Sequence, residues 1–176
     1  MDKEITYPRF RWYVAIVLAM VTIASAVIMI SPAPLVGVIS KFYGISVGET
    51  TGLLMSSFTL ASFFAALIGG AIVDKYGFPA ISIGANILII VGSVLMPSLS
   101  GNLTAIVILR IIQGLGSGAT VGLVAAVAVR WFPRHERGIV TGIQGMAVSL
   151  GVALGFAFIP MALSATGSWA GSFAKS

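Results

Sequence analysis

The chain alternates between long apolar runs and short polar connections, a pattern that predicts helices crossing a membrane. A transmembrane helix needs about 20 consecutive, mainly apolar residues, and five runs reach that length. Proline, glycine and charged residues separate the runs. The predicted transmembrane helices cover residues 12–38, 47–73, 79–96, 103–132 and 138–163.

Local signals predict where some of these helices bend or begin. Pro32 and Pro34 fall inside the first run and remove backbone N–H donors, so a kink is expected there. Ser46 and Glu49 have the spacing of a capping box at the start of the second helix. Pro79 suits the first turn of the third.

Composition supports the same fold class. Of the 176 residues, 58% are hydrophobic and 9% are charged, and the mean hydropathy is +1.07, which excludes an ordinary soluble domain. The net charge of +5 does not indicate nucleic acid as a partner, because the basic residues lie between apolar runs rather than along one face. We therefore predict an all-α integral membrane protein, a polytopic helical bundle in contact with the lipid bilayer.

Lysine and arginine counts predict the orientation, since connections rich in these residues stay on the cytoplasmic side. With residues 1–11 as a cytoplasmic N-terminus, the outer connections hold only two basic residues. We interpret the first run as a retained helix of a multi-pass protein in the cell's inner (plasma) membrane, because it exceeds the length of a signal-peptide core. The cytoplasmic side would then carry Lys3, Arg9, Arg11, Lys75, Arg130, Arg134 and Arg137.

Small residues recur at helical spacing on two of the predicted helices. Such stripes let helix backbones approach closely within lipid, so they indicate close packing. The glycines concerned are Gly114, Gly118 and Gly122 on the fourth helix and Gly138, Gly142 and Gly145 on the fifth, where Gly151 and Gly155 are also compatible with packing.

Residues for enzyme chemistry are scarce. The single histidine, His135, lies in a basic connection, and the five acidic residues offer no carboxylate pair, triad or metal cluster at a useful spacing. The chain contains no cysteine. We therefore expect neither an enzyme nor a cofactor.

Three motifs, taken in order, resemble the major facilitator superfamily of secondary transporters. "GGAIVDKYG" places Gly70, Asp74, Lys75 and Gly77 at the spacing of that family's G-x-L-x-D-[RK]-x-G loop. "LRIIQGLGSG" resembles its fourth-helix R-x-x-Q-G-x-G pattern, and "WFPRHERGIVTG" resembles the loop before its fifth helix. The resemblance covers essentially the whole chain and implies the N-terminal part of the major facilitator fold.

The resemblance implies a gating role for the cytoplasmic connections. Asp74 is expected to pair with Lys75 or with arginines of the next cytoplasmic connection, while Gly70 and Gly77 permit close approach and a tight reversal. Phe78 and Pro79 stand where the family usually carries basic residues. The predicted gating set also includes Arg134, Glu136 and Arg137 from the following connection.

Arg110 is the one basic residue within a predicted span. Placing arginine at membrane depth costs on the order of 2.5–3.5 kcal/mol on insertion scales, so a partner or water must offset it. We predict that Arg110 faces a wet cavity, with snorkelling toward the surface as the alternative. There it would recognise an anion or couple to a proton or ion, and wild-type uptake by Arg110→Ala would contradict this hypothesis.

Other polar residues within the spans are candidates for the same cavity. Gln113 and Ser117 share the helix face of Arg110, and Asn86, Gln144 and Ser149 lie on neighbouring helices. The alternative for these side chains is ordinary hydrogen bonding between helices.

The fifth helix lacks the Gly-Pro pair of many antiporters in the family, which favours a solute or organic-anion porter over a multidrug antiporter.

The expected function is secondary transport of a small solute, an organic or inorganic anion, by alternating access. Family members commonly have twelve spans in two halves. Residues 164–176 are therefore expected to lead into a missing sixth helix, and the C-terminal half is an expected partner. A truncated, non-transporting membrane subunit or inactive remnant stays open as the alternative, and the intact mass of the native protein distinguishes the two.

Overall fold

A computed structural model describes residues 10–167, and within that range the chain forms five helical spans without strands. Each span is long and apolar enough to cross a membrane. Residues 1–9 and 168–176 lie outside the description, so the predicted N-terminal segment and most of the predicted lead-in at 164–176 cannot be compared with it. The helices are α1 (Phe10–Ile30), α2 (Val36–Tyr43), α3 (Val47–Thr51), α4 (Ser57–Tyr76), α5 (Phe78–Leu95), α6 (Leu103–Trp131) and α7 (Arg137–Thr166).

Two spans contain a change of helix type. In the first, α1 stops at Ile30, and a 3₁₀ turn at Ala33–Leu35 connects it to α2, as the two prolines predict. In the second, a π-helical segment at Gly52–Ser56 joins α3 to α4, and nothing in the sequence predicted it. The capping box is present, because the Glu49 amide donates to Ser46 Oγ at 3.1 Å and the Ser46 amide donates to Glu49 Oε2 at 3.3 Å.

The helix α6 is the centre of the bundle. More than half of its apolar span is buried (56%), compared with 17–28% for the other four spans. It packs against α4 on one side and α5 on the other, while α7 packs along α1. The remaining faces of these other spans carry exposed aliphatic and aromatic side chains, as expected of surfaces that meet lipid.

Glycines on α6 allow this close packing, as predicted. A methyl group at Gly118 would overlap the backbone carbonyl of Ser62 on α4, and one at Gly122 would lie 2.9 Å from the Cα of Gly69. On another face, a methyl group at Gly116 would lie 2.8 Å from an Ile89 side-chain carbon of α5. The backbones of α4 and α6 therefore meet without intervening side chains.

The packing prediction is wrong for three glycines of α7 and right for two others. Positions 138, 142 and 145 have open space where a side chain would lie. The close contacts with α1 are instead made by Gly151, whose added methyl group would lie 2.5 Å from the Ile23 carbonyl oxygen, and by Gly155, which faces Ile30. Spacing alone did not reveal which stripe of α7 turns toward α1.

Candidate functional site: a polar cavity and a buried arginine

Arg110 is completely buried at the junction of α1, α4 and α6, with 0% of its surface exposed. Its Nη2 donates to the Met29 carbonyl at 2.8 Å, and its Nη1 donates to the Ile28 carbonyl at 2.9 Å. Its Nε donates to the Leu54 carbonyl at 3.1 Å. The guanidinium therefore joins the end of α1 to the π-helical segment that precedes α4.

Irregular backbone supplies acceptors for this arginine. Residue 32 is proline and has no N–H, so the Ile28 carbonyl lacks the donor that a continuous helix would provide four residues later. Leu54 belongs to the π-helical segment, where the regular α-helical hydrogen-bond pattern is interrupted. The guanidinium binds where the two helices are irregular, and these bonds offset the cost of burying its charge.

Two further side chains complete the environment of the guanidinium. The ring of Phe58 lies 4.7 Å from the Arg110 Cζ atom, within the range of a cation–π contact. Gln113, which is also buried, accepts from Arg110 Nη1 at 3.0 Å and donates to Ser93 Oγ on α5 at 3.1 Å. The network thus connects α1, α4, α6 and α5.

The prediction that Arg110 faces a wet cavity is therefore wrong in this structure, and snorkelling is excluded by its complete burial. Gln113 also packs between helices, close to Gly92, rather than beside open space. Both residues share the predicted face of α6, but that face lies against neighbouring helices. The expectation failed because the irregular backbone of α1 and α4 provides the polar partners that water was expected to supply.

A separate cavity of about 250 Å³ lies between α1, α6 and α7, with one residue from α4 at its edge. Two predicted site residues, Ser117 and Gln144, line it, whereas Asn86 does not. The Asn86 amide donates to the Ser82 carbonyl of its own helix at 2.8 Å. The cavity lining comprises Thr22, Ser25, Ala26, Met29, Ser62, Ser117, Thr120, Val121, Val124, Gln144, Gly145 and Val148.

Polar side chains meet across this cavity in two pairs. Ser25 on α1 and Ser117 on α6 have their hydroxyl oxygens 2.8 Å apart. Thr22 Oγ1 lies 2.7 Å from Gln144 Oε1, and the Gln144 amide nitrogen donates to the Ala15 carbonyl at 3.3 Å. Most of the cavity wall is apolar, and the cavity offers a few hydroxyl and amide groups without a charged side chain.

The arginine and the cavity are adjacent through one residue. Met29 lines the cavity, and its carbonyl accepts from Arg110. A bound molecule would lie beside a buried positive charge without touching it. Within the described residues, no three His, Asp or Glu side chains are grouped closely enough to hold a metal ion.

At the end of the bundle that carries the α4–α5 connection, Asp74 pairs with Arg130 of α6 at 3.0 Å. Its partner is thus one of the arginines assigned to the cytoplasmic side, not the adjacent Lys75. Gly77 adopts φ +81°, which a residue with a side chain rarely adopts, and it provides the predicted tight reversal. The prediction for Gly70 is wrong, because the close approach involves Gly69 and Gly70 faces open space.

The connection before α7 is held by a different set of contacts. Nη2 of Arg11 on α1 lies 2.9 Å from both carboxylate oxygens of Glu136. Arg137 donates to the carbonyls of Phe132 at 3.1 Å and Val129 at 2.8 Å, so it caps the last turn of α6. Arg134 is exposed. Of the predicted gating residues, Asp74 and Glu136 therefore form ion pairs and Arg137 forms a helix cap, whereas Arg134 and Lys75 are in neither ion pair.

The two ion pairs are expected to differ in their contribution to stability. The side chains of Arg11 and Glu136 are 15% and 18% exposed, whereas those of Arg130 and Asp74 are 56% and 64% exposed. Glu136→Gln should lower the free energy of unfolding by about 1–3 kcal/mol, because it removes a mostly buried carboxylate whose two oxygens both contact the guanidinium of Arg11. Asp74→Asn should lower the free energy of unfolding by less than about 1 kcal/mol, because water screens the exposed pair of Asp74 and Arg130. Thermal unfolding in detergent would measure both, and equal losses would contradict this ranking.

Several residues of the site were missed in the sequence. Thr22 and Ser25 lie three residues apart in the first apolar run, so they share one helix face, and this polar pair was a usable signal. The Arg11–Glu136 pair joins residues 125 positions apart, and no local pattern connects them. The π-helical segment that receives Arg110 also has no clear sequence signature.

A sequence model described as "Major Facilitator Superfamily" matches residues 9–174. The chain belongs to this superfamily. The predicted fold class is confirmed by that match and by the five helical spans, and the chain is a multi-pass membrane protein of a transporter family. Its buried arginine and its polar cavity thus belong to a major facilitator helical bundle.

Curated relatives of this superfamily member are named as transporters. "Probable anion transporter 2, chloroplastic" from Oryza sativa subsp. japonica is 32% identical over 124 residues, which are 70% of this chain and 23% of the relative. "Probable anion transporter 3, chloroplastic" from Arabidopsis thaliana is 31% identical over 66% of this chain and 23% of its own length. The "Hexuronate transporter" of Bacillus subtilis (strain 168) is 27% identical over 69% of this chain and 28% of its own length. The chain spans about a quarter of the length of these relatives.

Proposed function

We propose that this chain forms the N-terminal helices of a secondary transporter that moves a small organic or inorganic anion by alternating access. The polar cavity between α1, α6 and α7 carries this proposal, because it is a concave, uncharged site with hydroxyl and amide groups inside the spans. Relatives named as anion and hexuronate transporters support the same solute class. The other half of the permeation path would come from a C-terminal half.

The residues proposed to contact the solute are Ser117 and Gln144. Their hydroxyl and amide groups can donate hydrogen bonds to carboxylate or phosphate oxygens. No acidic side chain lines the cavity to repel an anion. Arg110 would act beside the solute as a fixed positive charge, since electrostatic attraction acts over several ångströms where water is excluded. Gln113 would hold the guanidinium in place, and Asn86 has no proposed contact with the solute.

The remaining predicted residues are proposed to act in gating at the cytoplasmic end. Asp74 and its partner Arg130 connect α4 to α6, and Glu136 and Arg11 connect α7 to α1. Both helix pairs border the proposed path, so opening and closing would strain or release these contacts. The bias of lysine and arginine toward this end supports a cytoplasmic N-terminus in the plasma membrane. Coupling to a proton or another ion is part of the proposal.

Solute uptake is the direct test. The native polypeptide, identified by its intact mass, would be reconstituted in liposomes and offered an inorganic anion, phosphate, and an organic anion, a hexuronate. Gln144→Ala and Ser117→Ala should each raise KM for the accepted anion about tenfold, the effect of losing roughly 1.4 kcal/mol of binding free energy. Ser149→Ala is the matched control, because this hydroxyl bonds to the Gly145 carbonyl on an exposed face of α7.

The outcomes separate the proposed functions. Unchanged KM in both variants would contradict the assignment of the cavity as the solute site. Uptake of none of the anions, by protein that is monodisperse and correctly inserted, would favour the alternative of a non-transporting membrane subunit. Uptake that is unaffected when proton and ion gradients are abolished would contradict coupling.

A further inference from the structure

An apolar groove of about 520 Å³ lies between α4 and α5, away from the polar cavity. Its walls run from Ala65 to Ile72 on α4 and from Ala80 to Leu88 on α5, and its floor is formed by Leu115 and Ala119 of α6. Alanine, glycine, leucine and isoleucine make up the whole lining. At 1.5 Å per residue, the groove is about 10–12 Å long and runs parallel to the helices.

A basic and an aromatic side chain lie at one end of this groove. Tyr76 follows Ile72 by one helical turn, so it continues the wall of α4 toward the membrane surface. The Lys75 ammonium lies 5.2 Å from the Tyr76 ring centroid, and both residues are exposed. Lysine and tyrosine in this position are typical of the boundary between bilayer and water.

The charge of Lys75 is available to a ligand. Asp74, the nearest acidic residue in sequence, is engaged by Arg130 at 3.0 Å. Between residues 10 and 167, no carboxylate lies within ion-pair distance of the Lys75 ammonium. Among the described residues, the groove therefore ends at a lysine that no carboxylate contacts.

We propose that the groove and Lys75 form a binding site for an anionic phospholipid, with one acyl chain between α4 and α5 and the phosphate at the Lys75 ammonium. Within a bilayer, an acyl chain gains little by leaving its lipid neighbours for an apolar groove, so the headgroup must provide the selectivity. A lysine at the membrane surface attracts anionic lipids, and basic sites between transmembrane helices bind their headgroups. This site goes beyond the proposed transport function and uses none of its solute-contacting residues.

Photo-crosslinking would test the site in the intact chain. The protein would be placed in nanodiscs containing a trace of diazirine-labelled phosphatidylglycerol or, separately, of labelled phosphatidylcholine, and the labelled peptides would be mapped by mass spectrometry. Labelling of the α4 and α5 groove walls by phosphatidylglycerol should exceed that by phosphatidylcholine about fivefold. Lys75→Gln should remove this preference, whereas Lys41→Gln, an exposed lysine at the end of α2, should preserve it.

A second pair of variants tests the groove itself. Gly84 lines the groove and has open space at the position of a side chain, so Gly84→Leu should fill the groove without displacing a helix and should reduce labelling by both lipids. Gly142→Leu, an equally open glycine on α7, should leave labelling unchanged. Equal labelling by the two lipids in the wild type, or full labelling of the groove walls in Gly84→Leu, would overturn the proposal.

Discussion

Replacing Arg110 with alanine is expected to lower the free energy of unfolding by on the order of 3–5 kcal/mol. The substitution removes the guanidinium that binds the carbonyls of Ile28, Met29 and Leu54, at a membrane depth where water cannot replace it. Of the three carbonyls, that of Ile28 keeps the Ser31 hydroxyl as a donor at 2.8 Å. The variant should lose its monodisperse chromatographic peak in detergent at a temperature about 10 °C or more below that of the wild type.

Two other variants at basic positions serve as comparisons for Arg110→Ala. Arg110→Lys should recover only part of the loss, because an ammonium group cannot reproduce the planar fork that reaches acceptors on two helices. Arg134→Ala removes an exposed arginine and should change the transition by less than about 2 °C. If Arg110→Ala unfolded at the same temperature as Arg134→Ala, the guanidinium would not be the connection between α1, α4 and α6 that its contacts indicate.

Replacing Gly118 with leucine should lower the free energy of unfolding by about 3 kcal/mol or more, a loss comparable with that of Arg110→Ala. The new side chain would overlap the Ser62 carbonyl, and a backbone group cannot rotate away as a side chain can. The helices α4 and α6 would have to separate along their whole contact, which includes Gly122 against Gly69. Thermal unfolding and the yield of monodisperse protein would both report this separation.

Gly142→Leu is the control for this prediction. It also replaces a glycine within a long helix, so it gains about the same helix propensity, on the order of 1 kcal/mol. Its side chain would enter open space rather than a helix contact. The difference between the two variants therefore measures the close approach of α4 and α6, and equal stabilities would show that this approach is not required.

The sequence alone determined the number of spans, the fold class, the starts of several helices and the break in the first span. These features depend on local properties: apolar length, missing proline donors at positions 32 and 34, and the capping pair Ser46 and Glu49. It also identified the glycines of α6 that pack closely, because that helix is surrounded on several faces and its small residues meet neighbours. On α7, where one side faces α1 and the other is open, spacing gave the wrong stripe.

Only the tertiary structure decided what the polar residues within the spans do. The sequence marked Arg110 as a charge whose cost had to be offset, but it could not show that the acceptors are backbone carbonyls on α1 and at a π-helical segment. It grouped Gln113 and Ser117 on one face, and packing then placed the first in a buried network and the second on the cavity. Apolar length and proline act within a few residues, whereas the partner of a buried polar group depends on which helix lies opposite, and that is fixed by packing across the whole bundle.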